Sequence, residues 1–370
     1  MRIAVSCLML LLAGCAPRGD MVLAPEAAAI AQDTRTIFVG TNRALTADGR
    51  FGPDRGTQTQ FLRYDIAIPP GHVPGQLRKA RAGRAPDLAR DFLATNIEEF
   101  ADARAFHDSL GAALMAQPPH HREAVVFVHG YNTRHAEGIY RLAQLAHDIR
   151  MPGVKLHFAW PSAGNPTVYA YDRDSALFSR DKLEAFLEDV AAAGPDRIIL
   201  VAHSMGSLLT METLRQMAIA GRQDLLARIR GVVLISPDLD IDVFRTQAER
   251  VTPLPQPFLI VSSQRDRVLE ISALLTGHRT RLGQIGDVSA LADLDVTVVD
   301  VSAFSGGLGH FTLGTSPALI RIAEEIDDID AAFGQGPTAR PGVLPGTFLT
   351  LRRATQVVLA PLDDQDQTAP

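Results

Sequence analysis

One short segment of the chain has the residue types and the spacing of a serine nucleophile. The apolar run 198–201 is followed by Ala-His-Ser-Met-Gly at 202–206, and a helical pattern of apolar residues comes next. A strand, a sharp turn and a helix in this order raise a serine hydroxyl above a sheet. The residues two before and two after the serine must be small because the turn brings them against neighbouring backbone, and Ala202 stands where glycine is usual. We predict that Ser204 is a catalytic nucleophile.

A serine hydroxyl is a weak nucleophile by itself, so it needs a general base and an acid that orients the base. Where a serine occupies this type of turn, the acid and then the histidine follow it along the chain, each after a strand. Asp266 comes after the apolar run 258–261, and His310 comes after the run 296–301 and a glycine-rich stretch. Asp266 and His310 are the predicted acid and base.

Another acid lies one strand earlier. The segment Ser-Pro-Asp-Leu-Asp at 236–240 contains Asp238, and some hydrolases carry their acid at this place. Asp238 is therefore the alternative acid, and Asp240 and Asp242 are weaker alternatives. Aspartates in loops also cap helices, and we expect at least two of this cluster to do so.

The negative oxygen that forms during acyl transfer needs two N–H donors. Met205 follows the nucleophile and is one predicted donor. The backbone N–H of Tyr131 is the other, because it follows the apolar run 124–128 and Gly130 permits close approach of the backbone. We expect His129 in the same turn to fix the loop rather than to act as a base.

The other histidines lack the spacing to acids or cysteines that is typical of metal sites. We predict surface positions for these residues, namely His107, His120, His121, His135, His147 and His278. The sequence thus predicts no metal site, and the proposed chemistry needs no cofactor.

Strand-like and helix-like patterns alternate around these motifs. The strand-like runs are 36–40, 64–68, 124–128, 155–160, 197–202, 232–235, 258–261 and 296–301. Such alternation predicts an α/β fold with a mostly parallel central sheet and helices on both faces. Residues 236–257 leave little room for a covering domain, so we expect a small cap or none, and an open site.

The combined motifs resemble a bacterial family of α/β-hydrolases of unassigned function in the esterase/lipase group. The matching blocks are 126–132, 160–164, 171–176, 202–206, 236–240, the segment that reaches Asp266, and Gly309-His310. They span roughly residues 36–335. Phe311 supplies the aromatic residue that members have soon after the histidine, although the usual following residues are missing. The resemblance implies an α/β-hydrolase fold and carboxylic-ester hydrolysis, with no settled natural substrate.

The N-terminus is typical of a bacterial lipoprotein. Arg2 precedes the apolar run 3–12, which is too short to span a bilayer and has the length of a signal-peptide core. It ends in Leu-Ala-Gly-Cys at 12–15, which resembles a lipobox. We predict lipidation of Cys15 and a location in the bacterial cell envelope, on the periplasmic side of a membrane.

The cysteines and the composition add to this prediction. The only other cysteine is Cys7, inside the signal, so we expect no disulfide framework. The net charge is -6 with both signs mixed along the chain, which disfavours a nucleic-acid partner. The predicted division is a signal peptide, an Ala/Pro-rich tether, a hydrolase domain and a Gly/Pro-rich tail, at 1–14, 15–35, 36–335 and 336–370.

The sequence therefore predicts a serine carboxylic-ester hydrolase that acts through a Ser-His-Asp triad and an acyl-enzyme. Its expected substrate is an ester presented at a surface, such as a lipid or an acylated envelope polymer, and it meets the membrane through its N-terminal lipid. An acyltransferase with the same triad is the first alternative. A non-catalytic binding protein on a hydrolase scaffold is the second, but that alternative predicts a broken triad and all three members are present.

Overall fold

A computed structural model describes residues 20–81, 84–277, 279–324, 346–351 and 353–359 of the chain. The predicted signal peptide and Cys15 lie outside these residues. In the described part, no helix has the length and apolar character needed to cross a membrane.

The described strands form one eleven-stranded sheet in the order β10-β11-β9-β8-β7-β6-β4-β5-β1-β2-β3. Neighbours from β11 to β1 run parallel, and β10, β2 and β3 are added antiparallel at the two ends. The strands are β1 (Asp33–Leu45), β2 (Phe51–Ile68), β3 (Leu93–Phe100), β4 (Glu123–Val128), β5 (Val154–Ala159), β6 (Arg197–His203), β7 (Ile229–Ile235), β8 (Phe258–Ser262), β9 (Thr297–Asp300), β10 (Gly346–Leu351) and β11 (Ala354–Leu359).

Helices connect most of the parallel strands. Those described are α1 (Ala103–Met115), α2 (His135–Asp148), α3 (Tyr169–Phe178), α4 (Arg180–Ala192), α5 (Met205–Ile219), α6 (Gln223–Leu226), α7 (Ile241–Arg250), α8 (Arg267–Leu275), α9 (Thr312–Thr315) and α10 (Pro317–Glu324).

The central strands are mostly apolar because helices cover both faces of the sheet. Successive side chains of a strand point to opposite faces. Val126 and Leu200 accordingly belong to the core under α1, α4, α5 and α7, whereas Val125 and Val201 belong to the core under α2 and α10. This arrangement confirms the predicted α/β class, with a mostly parallel sheet and helices on both faces.

The predicted active-site residues follow strands β6, β8 and β9, which are parallel. The carboxyl ends of parallel strands meet at one edge of a sheet, and this edge is where ligands of such folds bind. The topology therefore places Ser204, Asp266 and His310 at the same edge.

The cap is small, as the sequence predicts, but it lies elsewhere than in the β7–β8 connection, which holds only α7. Residues 264–282, which contain α8, leave the sheet after β8. Ser263 N donates to Gly283 O at 2.8 Å and closes the base of this excursion. We call the described part of residues 264–282 the flap.

The sheet extends beyond the domain limits expected from composition. The tail 336–370 contains β10 and β11, and β11 pairs in parallel with β9. At the other end, Ala24 N donates to Ala94 O at 2.8 Å. The described part of the predicted tether, from residue 20 onward, is therefore docked on β3. Composition does not reveal which strands these segments join, because the pairing partners are distant in sequence.

Candidate active site

Ser204 occupies a strained turn between β6 and α5. Its backbone has φ 52° and ψ -123°, a region that residues with a side chain rarely adopt. The N–H of Ser204 donates to Ile235 O at 2.9 Å, which ties the turn to β7. The residue is 1% exposed, so the short β7–β8 connection does not leave an open site at the nucleophile.

The small residues of the turn are required by close packing against strands. A Cβ on Gly206 would collide with the carbonyl oxygens of Val128 and His129 at the end of β4. Ala202 is fully buried and pairs with Val128 in the sheet, where its methyl group fits. The usual glycine is therefore dispensable at position 202 but not at 206.

The two predicted N–H donors lie on elements that meet at this turn. Met205 is the first residue of α5, so no carbonyl four residues earlier in the helix can bind its N–H. A Cβ on Gly130 would lie 2.7 Å from His203 Nδ1 and 2.8 Å from Ser204 Cβ. The loop that carries Tyr131 thus packs directly on the turn, and only glycine at position 130 allows this approach.

The structure brings His310 and Asp266 together. His310 Nδ1 lies 2.8 Å from Asp266 Oδ2, and the Asp266 side chain is fully buried. The other carboxylate oxygen accepts from Val268 N at 3.0 Å and from Leu269 N at 3.1 Å, which caps α8. The helix cap therefore holds the carboxylate in the orientation in which it meets the imidazole.

His310 also lies against the turn that contains Ser204. Its carbonyl oxygen is 3.3 Å from His203 Nε2, and the two ring centroids are 4.8 Å apart. Burial, and then the charge of His310, lower the pKa of His203 well below its usual range, so the His203 ring is neutral at neutral pH. Among the described residues, no hydrogen bond joins Ser204 Oγ to His310.

Asp238, the alternative acid, has other partners. Its carboxylate accepts from Tyr169 Oη at 2.9 Å and from Ser272 Oγ at 2.5 Å, and it pairs with Arg281 at 3.3 Å. Burial and the charge of Asp238 raise the pKa of Tyr169. This buried network joins the flap to the β7 loop, and it is Asp266 that reaches His310.

The weaker alternatives also act elsewhere. Asp240 caps α7 by accepting from Asp242 N at 2.9 Å and from Val243 N at 3.2 Å. Asp242 has a side chain that is 80% exposed and lies 3.9 Å from Arg279.

The sequence matches the family described as alpha/beta hydrolases of unknown function (DUF900) over residues 103–325, which is more than half of the chain. The chain belongs to this family. No curated protein matches it.

Several solved structures are similar in fold to this α/β-hydrolase. The predicted CIB-like hydrolase from Thermoplasma acidophilum is 18% identical with a TM-score of 0.33, and the match covers 56% of this chain and 87% of that one. A thermostable esterase from Pseudomonas putida is 13% identical with a TM-score of 0.38, covering 82% and 88%. The esterase from the archaeon Pyrobaculum calidifontis is 13% identical with a TM-score of 0.35, covering 90% and 99%. Likeness at this level carries no conclusion about the reaction of this hydrolase.

Asp172 is a site residue whose role sequence reasoning did not identify. Its buried carboxylate accepts from Asn132 N at 2.9 Å, from Ser162 Oγ at 2.6 Å and from Ala163 N at 2.6 Å. It therefore joins the loop after β4, which carries Tyr131, to the loop after β5. Three of the blocks that carry the family resemblance, 126–132, 160–164 and 171–176, meet here in space. Their joint presence in the sequence was the available signal for this role.

Arg43 holds the same two loops from the β1 side and left no sequence signal. Its guanidinium donates to Thr133 O at 2.8 Å, to Ser162 O at 2.9 Å and to Gly52 O at 3.0 Å. Burial lowers the pKa of Arg43 to about 10 while the charge of Asp172 acts in the opposite direction. Arg43 remains protonated at neutral pH, so a buried cation and a buried anion flank the Tyr131 loop.

Two of the histidines discussed above have structural positions. His129 stacks on Trp160 with a centroid distance of 4.7 Å, and its ring nitrogens lie 2.8 Å from Gly130 O and 2.9 Å from Trp160 O. It fixes the loop, as expected. His135 is buried rather than at the surface, because the start of α2 packs under β2 and Tyr64 Oη lies 3.0 Å from His135 Nε2. His278 lies outside the described residues.

If Ser204 and the Tyr131 N–H act as the sequence predicts, replacing Asp172 by Asn should lower kcat by about 100-fold with little change in KM, because a small displacement of that N–H weakens transition-state binding. The free energy of unfolding should fall by about 1–3 kcal/mol because buried donors lose their acceptor. Steady-state kinetics and urea unfolding measure both effects. Asp174→Asn, at an exposed position of the same helix, is the matched control. A loss of stability with unchanged kcat would show that Asp172 has no positioning role.

Proposed function

We propose that this hydrolase cleaves carboxylic esters through an acyl-enzyme formed on Ser204. The observation that carries the proposal is the 2.8 Å contact between His310 Nδ1 and Asp266 Oδ2, made beside the strained turn of Ser204. A carboxylate in this place fixes the imidazole tautomer whose Nε2 can accept a proton from serine. In a non-catalytic scaffold, neither the contact between His310 and Asp266 nor the strained backbone of Ser204 would have a function.

The proposed reaction has two steps, acylation of Ser204 and hydrolysis of the acyl-enzyme. His310 Nε2 takes the proton of Ser204 Oγ as the oxygen attacks the ester carbonyl, and the oxyanion accepts from the N–H groups of Met205 and Tyr131. The imidazolium, stabilised by Asp266, returns the proton to the departing alcohol. A water molecule, deprotonated by His310, then attacks the acyl group, and His310 returns this proton to Ser204 Oγ as the acid leaves. If an alcohol replaces water in the last step, the same residues perform acyl transfer.

Ser204→Ala should reduce turnover of p-nitrophenyl butyrate by about 10⁴-fold or more, and Asp266→Asn by about 10⁴-fold, because each removes a member of one catalytic unit. Asp238→Asn is the matched control, since it changes a nearby buried carboxylate that has other partners. Because the Asp238 network positions the flap and does not contact His310, Asp238→Asn should cost no more than about 100-fold, far less than Asp266→Asn. The measurement is release of p-nitrophenol by the full chain in detergent, with product analysis in the presence of an acceptor alcohol to separate hydrolysis from transfer. Severe loss in Asp238→Asn with full activity in Asp266→Asn would refute the acid assignment.

The outer surface of the flap supports an apolar acyl group as the substrate class. Four large apolar side chains of the flap and the adjoining His310 loop are strongly exposed, namely Ile271 (57%), Leu274 (58%), Leu275 (61%) and Leu308 (63%). Exposed apolar groups gathered in one place mark surfaces that bind other apolar matter. Because Ser204 is 1% exposed, we propose that a surface-presented ester, such as a lipid or an acylated envelope polymer, reaches it past these side chains.

The double change Leu274→Ser and Leu275→Ser should raise the KM for p-nitrophenyl dodecanoate by about tenfold or more, because burying each leucine against an acyl chain is favourable by about 1.5–3 kcal/mol when complete. The KM for the butyrate ester should change little, since a short acyl chain buries little apolar surface against these two leucines. Ile219→Ser is the control, because Ile219 is 50% exposed at the far end of α5. An equal effect on both esters, or none, would contradict the proposed substrate class.

We also propose that lipidation of Cys15 anchors the enzyme in the cell envelope. The support is the order of Arg2, the apolar run 3–12 and the Leu-Ala-Gly-Cys segment at 12–15. An acyl chain contributes membrane affinity of about 0.8 kcal/mol per buried methylene.

Cys15→Ser should move the protein from the membrane fraction to the soluble or unprocessed fraction of bacterial cells, because the thiol that would carry the lipid is removed. Cys7→Ser, which changes the only other cysteine, should leave it in the membrane. Fractionation and the mass of the N-terminal peptide provide the readout. An unmodified Cys15 in the membrane-bound wild type would rule out the anchor.

A further inference from the structure

A second group of chemically active side chains lies at the edge of the sheet opposite Ser204. His147 and Asp148 are near and at the end of α2, which has run back from the carboxyl end of β4 toward the start of β5. His72, in the β2–β3 connection, joins them, and ligand atoms of the three residues all lie within 4.8 Å of one another. We propose that His72, His147 and Asp148 bind a divalent transition-metal ion, with zinc as the best fit.

The donor set suits this ion. Two imidazoles and a carboxylate bind zinc at about 2.0–2.2 Å, so two ligands in a tetrahedral site lie about 3.3 Å apart. His72 Nε2 and Asp148 Oδ1 are 2.5 Å apart and separate slightly to admit an ion. The side chain of His147 is 24% exposed, whereas those of His72 and Asp148 are 2% and 0% exposed. An ion can therefore enter from the His147 side, and water can supply the remaining ligand.

Hydrogen bonds behind His147 orient it as metal ligands are oriented. Its Nδ1 lies 2.9 Å from Asp33 Oδ2, the carboxylate–histidine arrangement that fixes the tautomer and leaves the Nε2 lone pair for a metal. Gln32 Nε2 lies 3.2 Å from His147 Nε2, and the ion would displace this amide.

The other two ligands are held in a similar way. Asp148 Oδ2 accepts from Gly75 N at 2.7 Å and from Gln144 Nε2 at 2.5 Å, which leaves Oδ1 for the ion. The ring of His72 packs edge-on against Phe92 with a centroid distance of 5.2 Å. A simple His–Asp ion pair does not need these additional hydrogen bonds and ring contacts. The pair of His107 and Asp189, for comparison, is not part of a three-residue group of possible metal ligands among the described residues.

The ion would join three parts of the chain that meet at this edge: the start of β1 behind Asp33, the β2–β3 connection and the end of α2. The ion would stabilise the fold at the point where the N-terminal segment enters the domain. The sequence predicted no metal, because the spacing rule looks for ligands close along the chain and His72 lies far from His147.

The full chain, purified without a polyhistidine tag and stripped with EDTA, should take up about one Zn²⁺ per chain and gain thermal stability from it, because the folded state alone holds the ion. His147→Ala and Asp148→Asn should abolish uptake, and Asp33→Asn should weaken the affinity for Zn²⁺ by about 10–100-fold. His107→Ala, the matched control, should bind Zn²⁺ like the wild type. Elemental analysis after dialysis, titration calorimetry and thermal unfolding are the measurements.

His147 is partly exposed, so the His147→Ala variant decides the question even if Asp148→Asn does not fold. Substoichiometric zinc in the wild type would overturn the proposal. So would a His147→Ala variant that retains the zinc affinity and the thermal shift of the wild type.

Discussion

The positive φ of Ser204 is the constraint on which the other features of the site depend. A residue with a side chain held in such a conformation costs about 1–3 kcal/mol, and the surroundings must supply this free energy. Ser204 N donates to Ile235 O at 2.9 Å, and Asp238 N donates to Ser204 O at 3.2 Å, so β7 and its loop hold both sides of the residue. Gly206 at the same time packs against the end of β4.

The loops around this turn are held by charges that burial makes effective. Removing one partner of a buried ion pair costs about 3–5 kcal/mol, because the remaining charge is left without compensation. Arg43 and Asp172 are two buried charges that each make hydrogen bonds to the loops after β4 and β5. On the other side, Asp238 and Arg281 join the flap to the β7 loop. The site is thus positioned from both sides by buried polar groups that themselves need not touch substrate.

The sequence predicted those parts of the molecule that leave local signals. Strand–helix alternation indicated the sheet, and the turn around Ser204 was visible as a short motif between a strand and a helix. Asp266 and His310 were predicted because each follows a strand, and the structure brings these two side chains together. The role of Arg43 could not be predicted, since it depends on loops far away in sequence.

The same reason explains the other differences. The pairing of β11 with β9 and the docking of Ala24 on β3 join segments that are distant in sequence, so composition does not reveal them. The sequence predicted a surface position for His135, because its burial under β2 depends on contacts with residues that are distant in sequence. The flap follows β8, whereas the sequence prediction of a small cap or none rested on the length of the β7–β8 connection.

Covalent labelling by a fluorophosphonate tests the nucleophile most directly, because the probe reacts with a serine hydroxyl only where a base and N–H donors activate it. Mass spectrometry of the labelled full chain should find a single adduct on the peptide that contains Ser204, and the adduct should be absent in Ser204→Ala and form far more slowly in His310→Ala. A folded wild-type chain that forms no adduct, or one labelled on another residue, would contradict the assignment of Ser204.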